Sequence, residues 1–248
     1  MGQATLKILR IILSFTLNIS MCAMYNAPRR GLVPTSLGLI HYTATGGGDD
    51  DDDAKAKNGV PIVAFHMSPR SVDAYREVQD LSSDRLFVAM DEPGYGQSDN
   101  PNKSCTLNEI ADCYLKVMDD LGIDKCVTAG SLMGCYMALS LASRYPDRVV
   151  GVVCTNLYYF PKATREKAKL ESSQSKDASS AGVINDPWKL KEDGSHISKI
   201  WETRKSWGVD LCTRATYDEF TYNLKRRQRY AKGISIQDGS AFDLKGTS

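Results

Sequence analysis

The sequence has few histidines, almost no net charge and no paired cysteine motif. Its 31 basic and 30 acidic residues give a formal net charge of +1, and no basic block supplies the positive face that a nucleic-acid backbone requires. The seven cysteines are an odd number without any C-x-x-C pair, which argues against zinc and against a disulfide framework. We therefore expect buried, reduced thiols, with one incidental bridge if the chain is exported. No cofactor, metal or nucleic-acid partner is expected.

The composition is that of a globular protein, except at the start of the chain. With 248 residues, 42% hydrophobic and 25% charged, the chain is long enough for one sizeable domain. Lys7 and Arg10 precede a mostly apolar stretch, 11–23, which is long enough for the core of a signal peptide and short for a membrane span. Residues 1–23 are interpreted as a secretory or organellar leader or as an ordinary N-terminal extension. The first alternative implies a secreted or organellar protein, the second a cytoplasmic one.

Residues 46–59 form a low-complexity insertion, GGGDDDDDAKAKNG. Its glycines are flexible and its five adjacent aspartates repel one another, so we expect a solvated loop. A calcium loop would need aspartates at alternate positions, because adjacent residues point in different directions. This run is therefore not expected to bind calcium.

The segment 127–137, VTAGSLMGCYM, has the pattern of a strand that turns sharply into a helix. Such an elbow places its apex residue between two small residues, each two positions away, because strand and helix approach closely there. Gly130 and Gly134 meet this condition only when Leu132 is the apex. If Ser131 were the apex, an alanine and a large methionine would take the glycine positions. The sequence therefore predicts that Leu132 occupies the apex.

Two segments that precede the elbow each read as a buried strand followed by a loop. In the stretch 60–71, VPIVAFHMSPRS, the loop resembles an H-G-x-P sequence in which Met67 replaces the glycine. The stretch 86–99, LFVAMDEPGYGQSD, is similar to a D-x-P-G-x-G-x-S sequence. Together with the elbow, these motifs resemble the oxyanion loop, the glycine turn and the nucleophile elbow of the α/β hydrolase superfamily. The resemblance covers roughly residues 39–156.

The resemblance implies an α/β fold, with a doubly wound, mostly parallel sheet of the α/β-hydrolase type and a helical cap. Residues 31–45 are predicted to form two strands joined by a turn at 34–38, and 146–156 to contain the strand after the elbow helix. Thr106 and Glu109 have the spacing of a capping box. Helices are predicted at 71–80, 106–121 and 135–145.

The chain is divided into a hydrolase core at 31–160, a helical cap at 161–232 and a tail at 233–248. The cap is predicted from its polar, helix-prone composition. The resemblance implies two further strands after the cap, carrying an acidic residue and the catalytic histidine, but nothing after Ile236 supplies them. The domain is therefore expected to be C-terminally incomplete. Strand 149–155 would then lie at an open sheet edge, which favours self-association.

The resemblance also implies roles for residues around the elbow. The nucleophile position holds Leu132, which cannot attack a carbonyl and is expected to be non-functional. Ser131 is interpreted as a misplaced nucleophile or as a small turn residue that caps the next helix. The backbone amides of Met133 and of Met67 or Ser68 match the donors of the oxyanion hole, and they do not depend on side-chain identity.

Several polar side chains are expected to lie near the site, although no histidine stands where the superfamily has its general base. Asp91 is interpreted as a residue near the mouth of the pocket or as a side chain that stabilises its own turn by bonding nearby amides. Cys135 is interpreted as a thiol activated by the helix dipole or as a small packing residue. The expected pocket residues are His66, Asp91, Tyr158, Tyr159 and His196.

Three functions remain open at this stage. The resemblance implies a hydrolase of small esters, epoxides or organohalides, in a catalytically inactive or truncated form. A second interpretation is a binding module that uses the hydrolase pocket for a small apolar molecule or a protein. The third is a truncated product without independent activity. The expected inactivity follows from Leu132 and the missing histidine.

Overall fold

The computed structural model describes most of the predicted core and parts of the predicted cap. The described residues are 28–46, 59–82, 84–158, 161, 163–164, 166–167, 191–205, 216–218, 220–222, 224–225, 228–229 and 232. The predictions for the leader, for nearly all of the acidic insertion and for the tail lie outside these residues. Among the described residues, none of the helices is both long and apolar enough to span a bilayer.

Six strands form one mixed sheet in the order β1-β2-β4-β3-β5-β6. The first two pairings, β1 with β2 and β2 with β4, are antiparallel, and the remaining three are parallel. The predicted α/β class with a mostly parallel sheet is confirmed. The strands are β1 Arg29–Thr35, β2 Gly38–Thr45, β3 Ile62–Phe65, β4 Phe87–Met90, β5 Cys126–Ser131 and β6 Val149–Thr155.

The turn of the first hairpin is shorter than predicted. Pro34 pairs with Leu39 inside the ladder, and only residues 36–37 connect the two strands. The prediction of a turn over 34–38 was wrong because β1 lies at the sheet edge, where a proline without an N–H is tolerated. Gly38, with φ of 107°, provides the left-handed backbone that the tight connection needs.

The helices agree with the predicted positions to within a few residues. A 3₁₀ turn at Val72–Tyr75 leads into the first helix, so the predicted helix 71–80 is regular only in its second half. The capping box is confirmed, because the amide of Glu109 donates to Thr106 Oγ1 and the amide of Thr106 donates to the Glu109 carboxylate. The helices are α1 Arg76–Leu81, α2 Leu107–Asp120, α3 Met133–Arg144 and α4 Ser195–Arg204.

Both faces of the sheet are covered, as a doubly wound fold requires. Helices α2 and α3 pack on one face, where the rings of Phe65 and Tyr114 lie 4.6 Å apart in the main hydrophobic core. A smaller cluster on the other face joins Ala64 and Phe87 to Val72 of the 3₁₀ turn. The alternation of adjacent strand residues between these clusters fixes the register of the sheet.

Strand β6 lies at the end of the sheet in the described part of the chain. Three of its valines are exposed, Val150 at 54%, Val152 at 38% and Val153 at 52%. Adjacent strand residues point to opposite faces, so apolar surface is exposed on both faces of β6. This strand therefore carries the edge on which the predicted self-association depends.

Candidate active site

The sharp turn between β5 and α3 has its apex at Leu132. Its backbone, with φ of 52° and ψ of −111°, lies in a region that a leucine rarely adopts. The amide of Leu132 donates to the carbonyl of Thr155 in β6 at 3.0 Å. The apex is thus held in a strained conformation by the neighbouring strand.

The two glycines of the elbow are required by backbone crowding. A β-carbon on Gly130 would lie 2.2 Å from the carbonyl oxygen of Gly134. A β-carbon on Gly134 would lie 2.0 Å from the carbonyl oxygen of Phe65. Both obstacles are backbone atoms, which cannot rotate away. This crowding sets the register of the elbow with Leu132 at the apex.

Ser131 is the last residue of β5 and pairs with Thr155 of β6. The helix N-cap is Leu132, and no side chain caps the helix. The interpretation of Ser131 as a helix cap was therefore wrong, because the strand continues through Ser131 and the chain turns only at the next residue.

The loop after β3 lies beside the elbow because β3 and β5 are neighbours in the sheet. A β-carbon on Gly134 would come within 2.9 Å of the His66 carbonyl, which directly precedes Met67. None of the hydrogen bonds found among the described residues uses the amide of Met67, Ser68 or Met133 as donor. The Ser68 hydroxyl bonds to the hydroxyl of Tyr95 at 3.0 Å. The three amides thus have no acceptor among the described residues.

Asp91 is fully buried at the end of β4 and joins three segments of the chain. Its carboxylate accepts hydrogen bonds from His41 Nδ1 and from the amides of Val72 and Gln97, each at 2.8 Å. Burial alone would raise the pKa of Asp91, but His41, His66 and the hydrogen bond from the Gln97 amide outweigh it and lower the pKa. Asp91 therefore stabilises its turn, which was the alternative interpretation, and contributes no exposed surface to a pocket.

His66 connects the loop after β3 to the segment after β4. Its ring is buried, Nδ1 donates to the carbonyl of Met67 at 3.1 Å, and Nε2 accepts from the amide of Glu92 at 3.2 Å. Burial lowers the pKa of His66, so the ring is neutral at pH 7. Both ring nitrogens are engaged, and His66 supports the loop instead of facing a ligand.

Glu92 is a buried acid that the sequence patterns did not reveal. Its side chain is only 2% exposed, and Oε1 has no hydrogen-bond partner among the described residues. Burial, together with the negative charge of Asp91, raises the pKa of Glu92 to about 8. The available signal was a glutamate two residues after a strand of apolar residues, in the variable position of the D-x-P-G sequence.

Cys135 is buried, and its Sγ lies 3.2 Å from the carbonyl oxygen of Gly130. Burial is the main cause that raises its pKa to about 11. A thiol with such a pKa is protonated at pH 7, so the interpretation as an activated nucleophile was wrong and the packing role is supported.

Residues from the predicted cap range contact the loops after β3 and β4. Asp218 accepts a hydrogen bond from the Ser71 hydroxyl at 2.9 Å and lies 3.4 Å from Arg70 Nε. Burial raises the pKa of Asp218 to about 6, against the opposing effects of these two partners. Lys225 and Arg229 donate to carbonyls of the glycine turn, at 2.8 Å in each case. Sequence patterns could not reveal these contacts, because the partners are far apart in the chain.

The other expected pocket residues are not brought to the apex by the contacts found in the described part of the chain. Tyr158 is 60% exposed, and its carbonyl accepts a hydrogen bond from the Tyr136 hydroxyl. His196 is buried beside Phe220, and its Nδ1 accepts from the amide of Lys191 at 3.0 Å. Tyr159 lies outside the described residues.

Comparisons with known proteins agree with this geometry. Haloalkane dehalogenase 2 of Mycobacterium tuberculosis is 30% identical over 132 residues, covering 52% of this chain and 42% of the dehalogenase. Epoxide hydrolase 4 of Mus musculus is 28% identical over 124 residues, covering 47% of this chain and 31% of that protein. The solved structure of the epoxide hydrolase CorEH superposes with a TM-score of 0.57 at 16% identity, covering 84% of this chain and 74% of CorEH.

The matches extend over less than half of the length of these two curated relatives, so the chain corresponds to only part of them. At 16% identity, the similarity to the solved structure shows the fold alone. The sequence profile of the alpha/beta hydrolase fold matches residues 60–188, which is more than half of the chain and includes β3, the glycine turn and the elbow. This chain therefore belongs to the α/β hydrolase fold family.

Proposed function

We propose that this chain is a member of the family that does not carry out covalent hydrolysis at its elbow. The observation that carries the proposal is Leu132 at the apex, where the backbone has the strained conformation of a nucleophile elbow. Hydrolysis through a covalent intermediate needs a group with a lone pair at this position. A leucine side chain has none.

The placement of the histidines supports the same proposal. His41 and His66 are 2% and 1% exposed, and both are engaged with the segment around Asp91. A general base must come within hydrogen-bond reach of the group that it deprotonates. None of the hydrogen bonds recorded for the three rings in the described part of the chain goes to the elbow, and Nδ1 of His196 accepts from the amide of Lys191.

A second candidate function, binding without catalysis, is favoured by the unused amides of the elbow and its neighbouring loop. The amides of Met133 and Met67 would donate to a carbonyl or carboxylate oxygen, and the half-buried Leu132 would contact an adjoining apolar group. This combination fits a small apolar ester or acid. The relatives named as a dehalogenase and an epoxide hydrolase also suggest small organic molecules as ligands.

Turnover by the purified 248-residue protein tests the first proposal. Short-chain nitrophenyl esters, an epoxide and a haloalkane should each be converted no faster than in buffer. The matched variant is Ser131→Ala, which removes the hydroxyl nearest to the apex in the chain. Turnover by the wild type that disappears in Ser131→Ala would overturn the proposal.

Amide NMR of the same protein tests the binding candidate, with butyrate as the probe. We expect concentration-dependent shifts of the Met67 and Met133 amide signals, while the amide of Gly151 in β6 serves as an internal reference. Unchanged Met67 and Met133 signals across the titration would contradict binding at these donors.

A further inference from the structure

Two free cysteines, Cys135 and Cys154, lie next to the elbow. Cys135 lies in the first turn of α3, and Cys154 lies in β6, where it pairs with Gly130 of β5. The Sγ of Cys135 is 3.2 Å from the carbonyl oxygen of Gly130 and 3.3 Å from that of Thr155. Residues paired across neighbouring strands point to the same face of the sheet, so Cys154 points to the face on which a β-carbon of Gly130 would meet the start of α3. The side chains of Cys135 and Cys154 therefore lie on the same face of the sheet, beside Gly130.

We propose that Cys135 and Cys154 form a reversible disulfide that ties the elbow helix to β6. The bond would close a loop from α3 through the connection to β6, and these two elements already pack against each other. Little movement of the backbone is needed, because both cysteines lie beside Gly130 on the face that α3 covers.

The order of reaction follows from exposure. Cys154 is half-buried, whereas Cys135 and the other described cysteines, Cys105, Cys113 and Cys126, are buried. An oxidant in solution therefore reaches Cys154 first. Cys135 is buried and reacts second, because its sulfur lies 3.3 Å from the carbonyl oxygen of Thr155, the residue that follows Cys154.

With glutathione disulfide as the oxidant, the reaction consists of two exchange steps. The Cys154 thiolate attacks one sulfur of glutathione disulfide and releases one glutathione thiolate. The Cys135 thiolate then attacks the Cys154 sulfur of the mixed disulfide and releases the second glutathione. The protein loses two protons and two electrons, and the electrons reduce the disulfide of the reagent to two thiols.

The bridge would act on the apex through Thr155. This residue follows Cys154, and its carbonyl accepts the amide of Leu132 at 3.0 Å. Its hydroxyl also donates to the carbonyl of Gly130 at 3.2 Å. Fixing Cys154 to α3 restrains the hydrogen bonds that hold the elbow. This consequence holds whether or not the elbow binds a ligand.

Peptide mapping tests the assignment. The folded protein is treated with glutathione disulfide, alkylated in denaturant and cleaved with trypsin. The peptides 126–144 and 149–162 should be recovered as one disulfide-linked species that dithiothreitol separates. Recovery of both Cys135 and Cys154 in alkylated form, or of Cys154 as a stable glutathione adduct with Cys135 alkylated, would overturn the proposal.

Single variants identify the pair, because peptide 126–144 also contains Cys126. Cys126→Ala is the matched control and should keep the linked species, while Cys135→Ala should lose it. Persistence of the link in Cys135→Ala would contradict the pairing. Oxidation should raise the melting temperature by about 5 °C or more, since the bond closes a loop of moderate length. Circular dichroism checks that both variants are folded.

Discussion

Gly134 and Phe65 approach each other so closely that a β-carbon on Gly134 would lie 2.0 Å from the carbonyl oxygen of Phe65. This contact seats the first turn of α3 on the end of β3. It also brings the loop that starts at His66 next to the apex at Leu132. The neighbourhood of elbow and loop is therefore set by backbone packing and is independent of the side chain at the apex.

Replacing Gly134 should accordingly be costly. Gly134→Ala forces a methyl group against backbone atoms, and we expect a loss of about 2 to 4 kcal/mol in the free energy of unfolding. Gly151→Ala is the matched control, because its β-carbon would meet only the side chain of Val127, at 3.6 Å and 3.9 Å. This variant should change the free energy of unfolding by less than about 0.5 kcal/mol. Urea denaturation of both variants measures the difference. Equal stabilities would mean that the elbow is not packed as described.

Burial of Glu92 should make stability depend on pH. Its pKa is raised to about 8 in the folded state, so its contribution is fully present below the unfolded value of about 4.5 and is lost as the pH rises through 8. We therefore expect the wild type to lose on the order of 2 to 4 kcal/mol between pH 5 and pH 9, since one pKa unit corresponds to about 1.4 kcal/mol.

Glu92→Gln removes the ionisation and should flatten this profile. Asp218 acts in the same direction, but its pKa of about 6 places its effect at lower pH, so the range from pH 7 to pH 9 isolates Glu92. Chemical denaturation at several pH values provides the measurement. Parallel profiles for wild type and variant across that range would contradict the assignment.

The elbow could be identified from the sequence because its glycine spacing is a local pattern. The crowding that excludes side chains at Gly130 and Gly134 involves residues within four positions and the adjacent strand. The capping box of α2 is likewise local. Local patterns failed at the first hairpin. Pro34 is tolerated there because β1 lies at the sheet edge, and this position is a property of the whole sheet.

Other features depend on contacts between distant segments and leave no local pattern. The Ser71 hydroxyl meets Asp218 across 147 positions, and His41 meets Asp91 across 50. Asp91 and His66 were placed near the site by their motif positions, but their burial follows from packing that no motif encodes. The proximity of Cys135 and Cys154 likewise follows from the pairing of β6 with β5, which no local pattern encodes.

The position of β6 at the end of the sheet, in the part of the chain that the structure describes, leads to a prediction about assembly. We propose that β6 pairs with β6 of a second copy, because the segment VVGVVCT has no charge or proline to oppose such pairing. Sedimentation velocity should detect dimers or larger species at micromolar concentration. Val152→Lys places a charge on this strand and should reduce association.

A matched control separates this effect from added charge in general. Val78 on α1 is 46% exposed, and Val78→Lys should leave association unchanged. A protein that stays monomeric across the concentration range would contradict pairing through β6. Equal effects of the two lysines would contradict it as well.

The absence of a nucleophile at the apex is tested most directly with a fluorophosphonate probe and peptide mass spectrometry. The account predicts no label on the protein. If no general base serves the elbow, as we propose, Leu132→Ser should not be labelled either, because a hydroxyl without a base contributes little to catalysis. Stoichiometric labelling of Ser131 in the wild type, abolished in Ser131→Ala, would contradict the central claim.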